Sequence, residues 1–95
     1  MTKHTTPNIL LICPVSDLTS LERSIELWIE SGVELVSAWG MGCEEVHDRI
    51  DDIVIGEGTD SSRFLMTSWH DNETLDEARE FASQFGRREV EEVRL

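Results

Sequence analysis

Trp69 and His70 close a half-apolar segment and are followed at once by the acidic run Asp71-Asn72-Glu73. An imidazole oriented by a carboxylate can move protons, so His70 with Asp71 is a candidate acid–base pair. The structural alternative is that the indole covers the end of a strand while the imidazole bonds a neighbouring loop, and we favour this alternative over catalysis. Further candidates for a partner carboxylate or a nucleophile are Asp17, Cys13, Cys43 and Ser68. None of these cysteines and serines lies in a recognised nucleophile motif.

A metal site is the second chemistry that the residue types allow. Cys43 and His47 are four residues apart, which places them on adjacent turns of one helical face. A zinc ion would need two further ligands, for which Cys13 and His70 are the candidates. Cys43 also shares its helical face with the apolar Val46, so the more ordinary interpretation is a buried thiol that binds nothing.

Carboxylates crowd the same helical segment. They are Glu44, Glu45, Asp48, Asp51 and Asp52, with Arg49 as the only base among them. Like charges four residues apart each destabilise a helix by ~0.2–0.5 kcal/mol. A solvated face is the commonest origin of such a run, but a docking surface for a basic partner also explains the missing counter-charges. The candidate binding residues are therefore Asp48, Asp51, Asp52, Trp39, Trp69 and His70.

Gly40-Met41-Gly42, just before this segment, has a distant likeness to a phosphate-binding loop. The third glycine and the lysine of such loops are missing. Glu44 and Glu45 fall in the first helical turn, where their charges would repel a bound anion. The sequence predicts no nucleotide and no other cofactor.

The overall charge narrows the classes of partner. The chain has 20 acidic residues against 8 Lys and Arg, a formal net charge of −12. Such a field repels phosphate backbones and anionic lipid headgroups, so we expect neither nucleic-acid nor membrane binding. The apolar run Ile9–Cys13 is far shorter than the ~20 residues of a membrane helix. Two cysteines without a secretion signal predict reduced thiols and a cytoplasmic protein.

Apolar strands and amphipathic helices alternate along the chain and must position these side chains. Strands are predicted at residues 8–15, 33–39 and 64–69. Helices are predicted at about 19–31, from 43 to near 56, and at 75–85, each ending at a glycine. The pairs Thr19/Glu22 and Thr74/Glu77 have the spacing of capping boxes. Residues 1–7 are predicted to be a flexible lead, residues 57–62 a loop, and residues 87–95 a tail that suits either an edge strand or a helical extension.

This order predicts a single α/β domain over residues 1–95. We expect a small open sandwich of three to four mostly parallel strands alternating with three helices, flavodoxin-like or similar. Because the carboxyl ends of parallel strands share one edge, the loops that begin at Cys13, Trp39 and Trp69 are expected to meet there.

Two segments of the chain have a recognisable pattern. The first segment is Trp39-Gly40 followed by Cys43 and Val46-His47-Asp48. The second is Thr67-Ser68-Trp69-His70 followed by Glu73, Leu75, Glu77 and Ala78. Together they resemble a small bacterial α/β domain family to which no activity is assigned. The resemblance covers the second and third strand–helix units. It implies that these residues form a shared site or a shared structural seam, and it implies no reaction.

The sequence favours a small acidic cytosolic interaction protein, of the antitoxin, immunity or regulatory-adaptor kind, that binds a basic macromolecular partner. The alternative is an enzyme or a metal-binding domain that uses Cys43, His47, His70 and Asp71. The exposed edges of so small a sheet also allow a homo-oligomer.

Overall fold

The computed structural model describes residues 6–56 and 65–95 and confirms the α/β class. Four strands alternate with three helices along the chain. The strands are β1 (Asn8–Cys13), β2 (Leu35–Gly40), β3 (Met66–His70) and β4 (Val90–Arg94). The helices are α1 (Leu18–Ser31), α2 (Cys43–Ile55) and α3 (Leu75–Gln84), and a 3-10 turn, Phe85–Arg87, follows α3.

The four strands form one parallel sheet in the order β3-β2-β1-β4. This is the order of the first four strands in a classic doubly wound sheet. The chain moves outward from β1 to β3 and then returns across the sheet to β4. Since such crossovers are right-handed, the return places α3 on the face opposite to α1 and α2. The packing agrees, because α1 contacts α2 while α3 packs on β2, β1 and β4.

Side chains of β1 fill a core on each face of the sheet. Ile9 and Leu11 pack towards α1 and α2, where they meet Leu21, Ile25 and Ile50. Leu10 and Ile12 pack towards α3, where they meet Ala78 and Leu75. A strand covered on both faces is apolar except where a buried polar group is hydrogen-bonded, which explains the continuous apolar run Ile9–Cys13 that follows Asn8 in β1.

Two of the helix boundaries depend on side-chain caps. At α1 the N-cap is Asp17, whose carboxylate accepts the Thr19 N–H at 2.9 Å, so the helix begins one residue before Thr19 and the predicted Thr19/Glu22 capping box is wrong. An ionised carboxylate is a strong N-cap, and it takes the place that Thr19 was expected to fill. The Thr74/Glu77 capping box of α3 is confirmed, with both reciprocal hydrogen bonds formed.

Other boundaries shift by one or two residues. β2 begins at Leu35 rather than at residue 33, and α3 ends at Gln84, after which Gly86 takes a left-handed conformation in the 3-10 turn. The ambiguous tail forms the edge strand β4. The predicted loop at 57–62, the start of the predicted third strand at residue 64 and residues 1–5 of the predicted lead lie outside the described residues. Within that lead, Thr6 is described, and its hydroxyl donates to the Ser31 carbonyl.

Gly40 lets the ends of β1 and β2 approach closely. Its φ is +111°, and a Cβ added there would lie 2.7 Å from the Cys13 carbonyl oxygen. The residue thus serves backbone packing at the edge where the candidate site lies. Among the helices that the structure describes, none is long and apolar enough to span a bilayer.

Candidate functional site

His70 lies on the α3 face of the sheet and is 5% exposed. Its Nδ1 is 3.1 Å from Glu73 Oε1, and its Nε2 is 3.0 Å from Ser68 Oγ. Ser68 Oγ is in turn 2.9 Å from the hydroxyl of the buried Ser37 on β2. The imidazole also packs on the ring of Phe81 from α3, with 4.8 Å between the ring centroids.

The donors in this chain of groups follow from the carboxylate, which can only accept a hydrogen bond. Nδ1–H of His70 therefore donates to Glu73. In a neutral ring Nε2 accepts from the hydroxyl of Ser68, which leaves Ser68 Oγ to accept from Ser37. A serine hydroxyl bonded to an imidazole that a carboxylate orients is the arrangement of an activated nucleophile. The same bonds also satisfy Ser37 in the core, which is a purely structural role.

Neither of the carboxylates proposed from the sequence contacts this imidazole. Asp17 caps α1, and the Ser20 hydroxyl, followed by the Thr19 amide, holds the pKa of its carboxyl below the usual value. Asp71 instead lines a small depression, of about 200 Å³, at the start of α2 together with Glu44 and Glu45.

Trp69 points to the other face of β3, because successive side chains of a strand alternate between faces. Its indole packs against the imidazole of His47 on α2, with the ring centroids 4.7 Å apart and the planes tilted by 53°. The side chain is 42% exposed. The adjacent residues Trp69 and His70 therefore belong to two separate clusters, one on each side of the sheet.

Carboxylates surround His47. Its Nδ1 is 3.2 Å from Asp48 Oδ1, and its Nε2 is 3.6 Å from Asp51 Oδ2. The hydroxyl of Thr67, on β3, donates to the other oxygen of Asp51 and so fixes α2 to the strand. We refer to His47, Asp48, Asp51, Thr67 and Trp69 as the acidic–aromatic surface. Asp48 is its most exposed carboxylate, with 71% of the side chain in solvent.

Asp52 and Trp39, the two remaining binding candidates, lie away from this surface. Asp52 lines a depression of about 450 Å³ between α1 and α2, together with Glu22 and Arg49. Trp39 packs on the α3 side of the sheet, and its indole N–H donates to the Glu73 carbonyl at 2.7 Å. Trp39 therefore supports the loop whose carboxylate orients His70.

Cys43 and Cys13 are buried thiols that pack together with Ala38 on the α2 side. Burial, with a smaller contribution from the nearby Cys43, raises the pKa of Cys13 to about 11. His70 lies across the sheet from Cys43, His47 and Cys13, so the structure does not gather the four metal-ligand candidates. Within residues 6–56 and 65–95, no group of three or more His, Cys, Asp or Glu side chains is arranged to hold a metal ion.

Another depression, of about 400 Å³, opens at the same edge between the loops that follow β1 and β2. Its lining is mainly apolar and includes Pro14, Leu18 and Met41, with Glu45 and Arg49 at one side. This is the position where open α/β sheets hold ligands. It contains neither of the two histidine clusters.

Sequence reasoning named most of these residues but missed Ser37, Thr67 and Glu73 as partners. The alternation of β3 could have identified Thr67, whereas Glu73 lies in the loop after β3 and follows no strand period. Because side chains two residues apart in a strand share a face, Ser68 lies on the face of His70 and Thr67 lies on the face of Trp69. The partner of Ser37 follows only from the β2–β3 register, which pairs Ser37 with Ser68.

Residues 2–95 match a family described as a domain of unknown function, DUF7684. The chain belongs to this family, and the match confirms the resemblance to an uncharacterised domain. No curated protein and no solved structure matches the chain at a significant level.

Proposed function

We propose that this DUF7684 domain is a small acidic interaction protein that binds a basic macromolecular partner, in the manner of an antitoxin, an immunity protein or a regulatory adaptor. The observation that carries the proposal is the acidic–aromatic surface, in which a half-exposed indole lies beside carboxylates. Trp69 offers an aromatic face to a cation, and Asp48 offers a charge within the same area.

The charge of the whole chain supports the same class of partner. A net charge of −12 on 95 residues attracts cationic proteins over a range set by ionic strength. Aromatic side chains and charged pairs at the centre of an interface contribute most of its affinity. Trp69 would therefore supply affinity, while the surrounding acids would supply steering and selectivity.

Both cysteines are free thiols in the structure, and both are buried. Thiols that stay reduced are typical of the cytoplasm. We propose that the protein works there.

Affinity capture from native lysate, followed by mass spectrometry and a salt titration of the captured complex, tests the proposal. The informative variant is Asp48→Lys, because Asp51 holds Thr67 and His47 and its reversal would also disturb folding. Glu91→Lys on β4 is the matched control, since it makes the same change of charge at an exposed site on the opposite edge of the sheet. We expect Asp48→Lys to weaken binding about tenfold and Glu91→Lys to weaken it less than about threefold.

A partner whose affinity ignored both salt and the reversal of Asp48 would contradict the proposal. Equal losses in Asp48→Lys and Glu91→Lys would also count against it, because the attraction would then come from net charge without a defined surface.

A second candidate function is acyl transfer or hydrolysis through Ser68. The chain of bonds from Glu73 through His70 to the Ser68 hydroxyl favours it. In such a reaction Ser68 Oγ would attack an acyl carbon and His70 Nε2 would accept the hydroxyl proton, later returning it to the leaving group. This candidate differs from the alternative kept open by the sequence, which used Cys43, because Cys43 is buried at the start of α2.

Labelling with a fluorophosphonate probe separates the two functions. An enzyme of this kind would be labelled at Ser68, and the label would be lost in His70→Gln. Ser83, a partly exposed serine on α3 whose hydroxyl donates to the Glu80 carbonyl, is the internal control. Labelling of neither serine, or of both equally, would remove this candidate.

A further inference from the structure

β3 is an edge strand whose outer side pairs with no other strand within residues 6–56 and 65–95. The Met66 N–H donates to the Glu34 carbonyl, so the backbone N–H and C=O groups of Met66 point towards β2. Those groups alternate in direction along a strand. The N–H and C=O groups of Thr67 and Trp69 therefore point away from the sheet, in position to pair with an added strand.

The opposite edge of the sheet differs in its side chains. β4 has the sequence VEEVR, in which three of five residues are charged, and Glu92 pairs with Arg79 from α3. Charges of this kind discourage an edge from accepting another strand. β3 has the sequence MTSWH and lacks any carboxylate, lysine or arginine. Among the residues that the structure describes, β3 is therefore the edge better suited to strand addition.

Building on the proposed function, we propose that the basic partner binds as an extended segment that adds a fifth strand to the sheet along β3. Backbone hydrogen bonds to Thr67 and Trp69 would hold the segment. Its alternate side chains would contact the two faces of the sheet and provide specificity. The partner is thus an extended cationic segment, as distinct from a folded surface that only carries basic charge.

The two faces of the sheet favour different side chains in the added segment. Neighbouring residues on adjacent strands point to the same face. Residues beside Thr67 and Trp69 would lie over the acidic–aromatic surface, where an arginine can stack on the indole and reach Asp48. The residue beside Ser68 would lie on the α3 face near Met66 and Phe81, each 44% exposed, which favours an apolar side chain. The recognised pattern is therefore alternating basic and apolar residues.

A second copy of this chain suits the edge poorly. Two copies would bring two net charges of −12 together, with the carboxylates of each acidic–aromatic surface beside the shared edge. A cationic segment replaces this repulsion with attraction. Charge complementarity therefore decides between the two occupants.

The test uses a short synthetic peptide that alternates arginine and valine, with binding followed by calorimetry. A peptide of the same composition with its arginines and valines in two separate blocks keeps the charge but loses the alternation. A third peptide carries N-methyl groups on alternate amides, which removes hydrogen bonds without touching the protein. We expect the alternating peptide to bind at least tenfold more tightly than either of the other two.

Two protein variants test the same edge from the other side. Thr67→Pro removes an outward N–H, a change that edge strands tolerate, and Thr67→Val removes the bond to Asp51 while keeping that N–H. We expect Thr67→Pro to bind the alternating peptide about fivefold more weakly than Thr67→Val, the loss from one backbone hydrogen bond. Circular dichroism checks that both variants fold. If Thr67→Pro fails to fold, the N-methylated peptide still tests the backbone hydrogen bonds on the wild-type protein.

The outcomes separate this inference from the proposed function. Equal binding of the alternating, block and N-methylated peptides, with binding that still falls with salt and with Asp48→Lys, overturns strand addition and leaves the acidic surface standing. Binding that ignores salt and Asp48→Lys overturns the proposed function as well. A dimer of the free protein at micromolar concentration that Thr67→Pro dissociates and Thr67→Val does not would overturn the inference and assign the edge to a second copy.

Discussion

Asn8 ties β1 to the end of α3, and its replacement by alanine should destabilise the fold strongly. The side-chain amide is fully buried and donates two hydrogen bonds, to the carbonyls of Ala82 at 2.8 Å and Phe85 at 2.9 Å. These carbonyls lie at the end of the helix, where backbone acceptors lose their helical partners. Asn8 therefore works as a cap supplied by a distant strand.

The magnitude follows from the two bonds. Each is worth about 1 kcal/mol net, and a buried carbonyl left without a donor costs ~1–3 kcal/mol. The buried Oδ1 of Asn8 has no hydrogen-bond partner among the described residues, so its removal offsets part of the loss from the two orphaned carbonyls. Asn8→Ala should therefore lower the free energy of unfolding by about 2–4 kcal/mol, a large share of the ~5–15 kcal/mol typical of a domain. With a urea slope near ~1.5 kcal/mol/M, the midpoint should fall by roughly 2 M.

Urea unfolding followed by circular dichroism measures this loss. Ser83→Ala is the matched control, because Ser83 also donates to a carbonyl of α3, that of Glu80, but through a solvent-exposed hydrogen bond. It should cost less than ~0.5 kcal/mol. A loss in Asn8→Ala no larger than that of Ser83→Ala would refute the role assigned to Asn8.

Three further changes test the edge of the sheet that carries the candidate site. Gly40→Ala should destabilise the fold by about 3 kcal/mol, because Gly40 has a positive φ and an added Cβ would lie 2.7 Å from the Cys13 carbonyl oxygen. At Gly42 an added Cβ has space, so Gly42→Ala should cost about 1 kcal/mol. Thermal unfolding measures both losses. Ser68→Ala should cost about 1–3 kcal/mol, because Ser37 and His70 each lose a partner, and a urea midpoint unchanged from wild type would contradict this. Because the pKa of Cys13 is raised to about 11, its thiol ionises first in the unfolded chain, so unfolding free energy should fall as pH rises from about 9 to 11, and a Cys13→Ser variant should lose that slope.

The alternation of strands and helices was readable in the sequence because it depends on local patterns. The continuous apolar run of β1 indicates a strand buried on both faces, and the Thr74/Glu77 capping box indicates where α3 begins. At α1 two residues, Asp17 and Thr19, could cap the helix, and only the backbone geometry selects Asp17. The tail could not be assigned, because its few apolar residues suit either element until β1 is present to pair with it.

The candidate site was harder to predict, because it depends on which face of the sheet each residue meets. From the sequence, Trp69 and His70 were expected at the carboxyl edge of the sheet and were treated as one pair. Because successive side chains of a strand point to opposite faces, Trp69 packs towards α2 and His70 towards α3. Asp48, Asp51 and Asp52 also looked equivalent on the helix. Asp51 bonds Thr67 on β3, and Asp52 lies towards α1, so their roles depend on the neighbours of α2.

The most direct test of the central claim is an NMR titration of the ¹⁵N-labelled domain with the alternating arginine–valine peptide. We expect the largest amide shifts at Thr67, Trp69, His47 and Asp48, together with a shift of the indole N–H of Trp69, and we expect all of them to diminish as salt is added. Shifts centred on β4, or shifts at the β3 edge that persist unchanged at high salt, would contradict the central claim.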